Sequence, residues 1–307
     1  MKVIEDIREL IGNTPLLHIN NFDLPRGVNI YAKLEYFNPG GSVKDRFGLV
    51  MLEEAERRGE ILPGSTIIEP TAGNTGIGLA LAAINRGYRV VFVVPQKFSQ
   101  EKQVLMKALG AEVINTPTED GIEGAINRAK ELSNAISGSF VPNQFYNQAN
   151  PLAHYRTTGP EIYQQLEGKI DYFLAGVGSG GTFTGTARYL KEKDASILTM
   201  AVEPEGSILG GGNPGSHKTE GIGVDFIPET LDLNLIDQVI TVSDENAFNM
   251  VNELARKEGV LVGSSSGAAF YAAWQLAQQI NKSSNIVTIF PDGSERYFSK
   301  QIYNGGI

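Results

Sequence analysis

A lysine that follows two glycines is the residue best placed for covalent chemistry in this sequence. Lys44 lies in residues 38–46 (NPGGSVKDR), where an amphipathic stretch begins that predicts a helix. A lysine held there and partly desolvated loses its proton more readily, and its amine then forms an imine with a carbonyl group. The alternative is that Lys44 only caps or solvates the start of the helix. The neighbouring motifs must decide between the two.

A first glycine-rich turn spans residues 69–76 (EPTAGNTG), between a predicted strand and a predicted helix. Free backbone N–H groups and the helix dipole face such a turn, so it favours an anion, either a carboxylate or a phosphate. Thr71, Asn74 and Thr75 add side-chain hydrogen bonds. The alternative is a tight turn that glycine permits and Thr71 caps.

A second turn, residues 176–182 (GVGSGGT), matches the G-x-G-x-x-G pattern of dinucleotide sites. Glu203 lies near the end of the next predicted strand, where a ribose-binding acid would stand. However, the hydroxyls of Ser179, Thr182 and Thr184 suit a single phosphate monoester equally well. The motif therefore predicts phosphate binding and leaves an NAD-linked oxidoreductase open as the alternative.

A third turn, residues 263–267 (GSSSG), matches the G-x-S-x-G nucleophile elbow of hydrolases. That fold needs a histidine after the serine, and the last histidine here, His217, precedes Ser265. Ser265 is therefore expected either to hydrogen-bond a bound ring or simply to cap a helix.

Composition excludes several classes of function. The net charge of -9 over 307 residues argues against a nucleic-acid surface. The absence of cysteine excludes thiolate chemistry, and three scattered histidines predict no metal site. No apolar signal segment follows Met1, and no apolar run is long enough to span a membrane. We expect a soluble, cytoplasmic protein that binds neither nucleic acid nor membrane.

Predicted strands alternate with predicted helices in two series, one before and one after a break near residues 143–151. This alternation predicts an α/β protein with two domains, each a mostly parallel twisted sheet with helices on both faces. Ligands in such folds bind where strands end and helices begin. The predicted strands are residues 30–34, 66–69, 89–94, 112–115, 172–175, 198–203, 238–242 and 286–290. The predicted helices are residues 43–58, 74–86, 100–109, 121–133, 183–193, 244–258 and 268–280.

Taken together, these motifs resemble the cysteine synthase and cystathionine β-synthase family of pyridoxal-phosphate enzymes. The resemblance covers essentially the whole chain, and it also includes residues 11–16 (IGNTPL), 143–145 (NQF) and 220–223 (EGIG). It implies that the cofactor is pyridoxal 5'-phosphate and that the protein has the fold known as fold type II among pyridoxal-phosphate enzymes. It further implies a smaller, mobile domain over residues 40–145 with the substrate-carboxylate loop. Residues 1–39 and 146–307 would form the larger domain with the cofactor's phosphate cup.

The resemblance also assigns roles to individual residues. Lys44 is similar to the lysine that forms the imine with the cofactor and later takes the substrate's α-proton. Asn74 is similar to the ligand of the ring hydroxyl, and Ser265 to the partner of the pyridine nitrogen. The phosphate cup would comprise Gly178, Ser179, Gly180, Gly181 and Thr182. The pocket for the substrate's carboxylate would comprise Thr71, Ala72, Gly73, Thr75 and Gln144. Asp232 is a candidate for proton handling.

The implied activity is β-replacement on O-acetylserine, serine or cysteine by a thiol or sulfide, giving cystathionine or cysteine, or sulfide release from cysteine. Ala72 stands where the family commonly has serine, which removes one hydroxyl from the carboxylate pocket. That loop and residues 202–207 and 291–297 resemble a bacterial subgroup that makes cystathionine from O-acetylserine and homocysteine.

Two protein partners follow from the resemblance. A homodimer is expected. Some family members bind the carboxyl-terminal isoleucine of a partner, serine acetyltransferase, in the substrate pocket. This chain itself ends in Ile307, so residues 304–307 either imitate such a partner or form an ordinary frayed terminus.

Overall fold

The computed structural model describes residues 3–71, 73–96 and 99–303. The strands are β1 (Leu16–Ile19), β2 (Val28–Leu34), β3 (Thr66–Pro70), β4 (Arg89–Pro95), β5 (Glu112–Thr116), β6 (Ser139–Phe140), β7 (Tyr172–Gly176), β8 (Leu198–Pro204), β9 (Gln238–Val242) and β10 (Ser284–Phe290). The helices are α1 (Lys44–Arg57), α2 (Asn74–Ala83), α3 (Gln100–Ala108), α4 (Gly121–Ala135), α5 (Ala149–Arg156), α6 (Thr158–Gln165), α7 (Gly181–Lys193), α8 (Asp244–Glu258) and α9 (Ser264–Ala277).

These strands form two sheets. The larger sheet has the order β1-β2-β10-β7-β8-β9, and the smaller one has the order β5-β4-β3-β6. Every pairing is parallel except that of β1 with β2. The predicted α/β class with two mostly parallel sheets is confirmed. The boundaries and the mobility of the predicted domains stay a prediction.

Burial follows from the sequences of the strands. In β4 (RVVFVVP) every residue after Arg89 is buried, because helices cover both faces of a parallel sheet. The larger sheet has its own core, in which α9 packs on β10 and small residues of α9 such as Ala268 and Ala272 are buried. None of the helices in the described ranges has the length and apolar character needed to cross a membrane.

Two helices that begin at predicted site residues, α1 and α2, touch through glycines. A Cβ on Gly48 would lie 2.3 Å from the carbonyl oxygen of Gly78, and one on Gly78 would lie 2.3 Å from that of Lys44. Only glycine permits backbones to approach so closely. This contact fixes the start of α1, and therefore Lys44, relative to α2, whose first residue is Asn74.

A cluster of charges, defined here as the anchor cluster, ties α1 to the larger sheet. It consists of Lys33, Glu35, Arg46 and Glu161. The Arg46 guanidinium contacts Glu35 at 2.7 Å and Glu161 at 2.6 Å, and Lys33 contacts Glu161 at 2.7 Å. Burial alone would raise the pKa of Glu161, but its hydrogen bonds to Arg46 and Lys33 hold it at about 2.

Some elements escape prediction from the sequence. The short strands β1 and β6 and the helices α5 and α6 are absent from the predicted set, and α9 begins at Ser264 rather than at residue 268. Pro151 and Pro160 look like helix breakers in the sequence. Each lies in the first turn of its helix, where the missing N–H costs nothing.

Candidate active site

A cavity of about 680 Å³ opens where β3, β7 and β10 end, at the carboxyl edges of the two sheets. Its volume lies within the usual range for ligand pockets, about 300–1,000 Å³. A recess of about 30 Å³ adjoins it and shares several of its lining residues. The predicted site residues that line the cavity are Lys44, Thr71, Gly73, Asn74, Thr75, Gln144, Gly178, Ser179 and Ser265. Those that line the recess are Lys44, Gly178, Ser179, Gly180 and Thr182.

Lys44 lies at the junction of the cavity and the recess, half-buried at the first position of α1. Burial lowers the pKa of its amine, while the negative charge of Asp292 acts in the opposite direction. Within the described residues, the amine has neither a hydrogen bond nor an ion pair. It is therefore free to react with a ligand in the cavity.

The recess has the features of an anion site. It lies at the amino end of α7, a helix that begins directly after Gly180. The φ of Gly180 is 82°, a conformation that favours glycine. Asn150 donates hydrogen bonds to the Ser179 hydroxyl, at 3.0 Å, and to the carbonyl of Gln144, at 2.8 Å. The residues that line the recess include hydroxyls and backbone amides but no acid. Gly181 lines neither space; it begins α7, with its Cα against Asn150.

A neutral histidine supports the recess from behind. His154 is buried, and its Nε2 lies 3.2 Å from the Thr182 hydroxyl while its Nδ1 lies 2.8 Å from that of Thr158. Burial and the nearby Arg46 charge lower the pKa of His154 to about 3. The ring therefore orients the Thr182 hydroxyl without adding a charge. In the sequence, His154 is one of three widely separated histidines, and nothing in its local spacing indicates this contact.

Asn74 is held by residues after β10. Its amide nitrogen donates to Asp292 Oδ2 at 2.6 Å, and its amide oxygen accepts from Arg296 at 2.5 Å. The Tyr297 hydroxyl donates to the same Asp292 oxygen. Burial raises the pKa of Asp292. Asp292, Arg296 and Tyr297 are not among the predicted site residues, although polar residues directly after a buried strand are a usable signal.

The predicted carboxylate loop is fixed by a buried acid. Thr75 donates to the side-chain oxygen of Gln144 at 2.7 Å, and the backbone amides of Asn143 and Gln144 donate to Glu69 at 3.0 and 3.4 Å. Burial raises the pKa of Glu69 to about 7. Glu69 was also missed, although it is the only acid in an otherwise apolar strand. Ala72 lies outside the described residues.

Ser265 faces the cavity from the first turn of α9. It is buried, and its hydroxyl has no hydrogen-bond partner within the described residues. The preceding Ser264 instead accepts from the backbone amide of Glu220 at 3.0 Å. Ser265 is thus available to a ligand, while Ser264 holds the loop that contains Glu220.

Two candidate acids lie away from these spaces. Asp232 pairs with Arg188 at 3.2 Å and accepts from the backbone amide of Asn234 at 3.1 Å, so its carboxylate is engaged elsewhere. Glu203 accepts from the amides of Leu209 and Gly210 and from Thr241. Neither acid lines the described cavity or recess. A dinucleotide would therefore lack its ribose-binding acid.

Comparison with known proteins decides the family. The family profile described as "Pyridoxal-phosphate dependent enzyme" matches residues 7–292. An O-acetylserine dependent cystathionine beta-synthase from Bacillus subtilis is 57% identical over 307 residues, all of both chains. A cysteine synthase from Helicobacter pylori is 55% identical, covering 99% of this chain and 100% of its own.

A solved structure agrees with both sequence relatives. It is that of a hydrogen sulfide-producing enzyme from Fusobacterium nucleatum, with a TM-score of 0.92 and 44% identity. The match covers 96% of this chain and all of the other. The chain belongs to the cysteine synthase and O-acetylserine-dependent cystathionine β-synthase family of pyridoxal-phosphate-dependent enzymes. The predicted family, fold class and cofactor are confirmed, and the match to a pyridoxal-phosphate family disfavours the NAD-linked alternative.

The residues of this family member fit its cofactor. The acid-free recess at the start of α7 suits a phosphate group, and the unpaired amine of Lys44 adjoins it. Asn74 and the unpaired hydroxyl of Ser265 line the cavity into which a ring attached to that phosphate would extend. The site therefore combines a phosphate cup, an amine and two polar contacts for a ring.

Proposed function

We propose that this protein catalyses β-replacement on O-acetylserine, with a thiol such as homocysteine or with sulfide as nucleophile, to give cystathionine or cysteine. Serine and cysteine are alternative first substrates, and cysteine would release sulfide. The observation that carries the proposal is the unpaired amine of Lys44 between a phosphate-sized recess and a larger cavity. The names of the relatives in Bacillus subtilis, Helicobacter pylori and Fusobacterium nucleatum support this choice of substrates.

The cofactor-binding residues in this proposal are Lys44, Asn74, Gly178, Ser179, Gly180, Gly181, Thr182 and Ser265. When bound, pyridoxal phosphate supplies the electron sink for the electron pair of the substrate's broken Cα–H bond. Backbone amides at the start of α7 and the Ser179 and Thr182 hydroxyls would hold its phosphate. Asn150 and His154 orient those two hydroxyls.

Lys44 moves the proton in this scheme. Its lowered pKa favours the neutral amine, which accepts the substrate's α-proton at Nζ. Asp292 limits how far that pKa falls, so the amine also returns the proton. Because Ser265 is neutral, it would not stabilise a positive charge on the ring nitrogen, which favours β-elimination over transamination.

The substrate's carboxylate binds at the start of α2 in this proposal. Thr71, Gly73, Thr75 and Gln144 supply neutral donors there, and Ala72, the remaining residue of the predicted pocket, lacks the hydroxyl of the family's common serine. Movement of residues 40–145 as a domain would close the cavity and exclude water from the reacting carbon.

The test combines a spectrum with a matrix of reactions. Purified protein should absorb visible light, and borohydride should abolish this absorbance by fixing the cofactor to Lys44. O-acetylserine, serine and cysteine are each incubated with sulfide, homocysteine or water, and the products are identified by mass spectrometry. Cystathionine or cysteine from O-acetylserine is expected. Colourless protein that forms no product in any combination would refute the proposal.

We further propose a cytoplasmic homodimer, on the basis of the family resemblance, and sedimentation at several protein concentrations tests the dimer. A serine acetyltransferase tail remains the second proposed partner. Competition of a peptide ending in isoleucine with O-acetylserine tests it. Residues 304–307, predicted either to imitate such a tail or to form an ordinary terminus, lie outside the described residues.

A further inference from the structure

A group of basic side chains at the mouth of the cavity has no role in the function proposed above. Lys102, Lys218 and Lys300 come from α3, from the loop after β8 and from the 3₁₀ helix Ser294–Lys300. All three line the cavity that Lys44 also lines, and so does Glu220, an acid that pairs with two of them. We call these four residues the mouth cluster.

The mouth cluster carries more positive than negative charge. Glu220 Oε2 lies 3.1 Å from the Lys102 ammonium, and Glu220 Oε1 accepts from Lys300. One carboxylate thus serves two ammonium groups. The ammonium of Lys218 has no partner within the described residues. Within the mouth cluster, three cations against one anion leave an excess of two formal positive charges, in a protein whose net charge is -9. The other acid that lines the cavity, Asp292, is hydrogen-bonded to Asn74 and Tyr297.

The positions of these charges are fixed by the fold. Lys102 is buried, and its ammonium lies 4.4 Å from the centre of the Tyr297 ring. The loop that carries Lys218 is held by Asp244, which accepts from the backbone amides of Lys218 and Thr219 at 2.6 and 2.8 Å. Such a built concentration of like charge costs free energy, and a bound anion relieves that cost.

The cofactor's phosphate and the first substrate's carboxylate are assigned to binding sites other than the mouth cluster. The cofactor's phosphate fits the recess at α7, which no lysine other than Lys44 lines. The carboxylate of the first substrate is assigned to the neutral donors around Thr71 and Gln144. Sulfide has no carboxylate, whereas a thiol amino acid brings a second one. The mouth cluster is therefore the unassigned cationic site in the described part of the cavity.

We propose that the mouth cluster binds the carboxylate of a thiol-bearing nucleophile and so selects a thiol amino acid over free sulfide. This inference rests on the proposed β-replacement. In the arrangement we infer, Lys218 and Lys300 contact the carboxylate, and Lys102 keeps Glu220 and Tyr297 in position. Glu220 competes with the ligand for Lys300.

The experiment uses the cofactor-loaded protein, O-acetylserine, and two thiols that differ in charge. The probes are 3-mercaptopropionate, which has a carboxylate, and 2-mercaptoethanol, which has none. The measured quantity is the kcat/KM for 3-mercaptopropionate divided by the kcat/KM for 2-mercaptoethanol. Lys218→Ala combined with Lys300→Ala should lower this ratio about tenfold, as expected for losing charge-assisted hydrogen bonds. Glu220→Gln should raise it about threefold, because it frees the ammonium groups.

The matched control is Lys169→Ala. Lys169 is an exposed lysine that pairs with Glu167 before the amino end of β7, at the edge of the sheet away from the cavity. This variant should leave the ratio unchanged. Both test lysines are exposed, so the double variant keeps the buried packing intact.

Three outcomes would overturn the inference. A ratio unchanged in the double variant would show that the lysines do not bind the nucleophile. A rise in the KM for O-acetylserine, with the ratio unchanged, would assign the cluster to the first substrate. Absence of product with both thiols and with sulfide in the unmodified protein would refute the β-replacement itself, which distinguishes that failure from the other two.

Discussion

Lys44 and Arg46, two residues apart in α1, belong to two sets of ionisable groups that are held in opposite ways. Arg46 is part of the anchor cluster, in which every charge has an oppositely charged partner. The second set consists of Lys44, Glu69 and Asp292, none of which has an ion pair within the described residues. The anchor cluster lowers the pKa of Glu35 and Glu161, whereas burial raises the pKa of Glu69 and Asp292.

The difference shows that burial alone does not determine the charge of a group. Partners in the anchor cluster offset the cost of desolvation for Arg46, Glu35 and Glu161, so these charges persist and tie α1 to β2 and α6, although burial still lowers the pKa of Lys33. In the site that cost is not offset, and each group lies nearer to its neutral form. The anchor cluster therefore contributes rigidity, while the unpaired groups remain able to exchange protons or meet a ligand.

The largest expected effect is on activity, from Lys44→Ala. Loss of the amine should reduce turnover by about 1,000-fold or more, because both the covalent attachment and the proton acceptor disappear. Stability of the cofactor-free protein should change little, since the amine has no partner to lose. Steady-state kinetics and urea unfolding measure the two effects. Activity within tenfold of the unmodified protein would contradict this role for Lys44.

The reverse pattern is expected at Arg46. Replacing it with methionine leaves Glu35 buried without its ion-pair partner, which should lower the free energy of unfolding by about 3–5 kcal/mol. The urea midpoint measures this loss. Adding Glu35→Gln should recover part of it, because the stranded charge is then removed. If Arg46→Met were as stable as the unmodified protein, the contrast between the two sets would not hold.

A third effect concerns pH and Glu69. Its pKa of about 7, against an ordinary value of 4.5, means that the folded protein holds this proton more tightly than the unfolded chain. Stability should therefore fall as pH rises from about 4.5 to 7, by up to roughly 3 kcal/mol from this group. Glu69→Gln should reduce that slope.

The slope should persist in part, because burial also raises the pKa of Asp45 to about 7. Unfolding midpoints at several pH values test the prediction. Glu60→Gln serves as the control, since Glu60 is exposed and pairs with Arg58 on the surface. An identical slope in the Glu69 and Glu60 variants would show that Glu69 ionises normally.

The sequence alone reveals the residues that face the cavity better than the residues that hold them in place. Lys44, Asn74 and Ser265 each follow a strand or a glycine-rich turn, so local spacing indicates them, and the structure places all three at one cavity. Asp292 acts through Asn74, which is 218 positions away, and His154 acts through Thr182. Contacts of this kind depend on the folded arrangement, and no local pattern encodes them.

The smallest expected effect is that of Asp292→Asn. It concerns the electrostatic interaction between Asp292 and Lys44, two groups that have no ion pair within the described residues. Asp292 is the charge that opposes the fall in the pKa of Lys44. Removing this charge should lower that pKa further, so the acid limb of the kcat/KM profile should move to lower pH. Activity at about pH 6, relative to about pH 8, should rise about threefold.

Tyr297→Phe is the matched control for this variant. It removes the other hydrogen bond to Asp292 Oδ2 but keeps the carboxylate's charge, so the acid limb should move by less. A purely structural role for Asp292 would weaken cofactor binding in both variants and leave the limb in place. A limb that moves to higher pH in Asp292→Asn would mean that Asp292 is neutral beside Lys44 and that another group sets the amine's pKa.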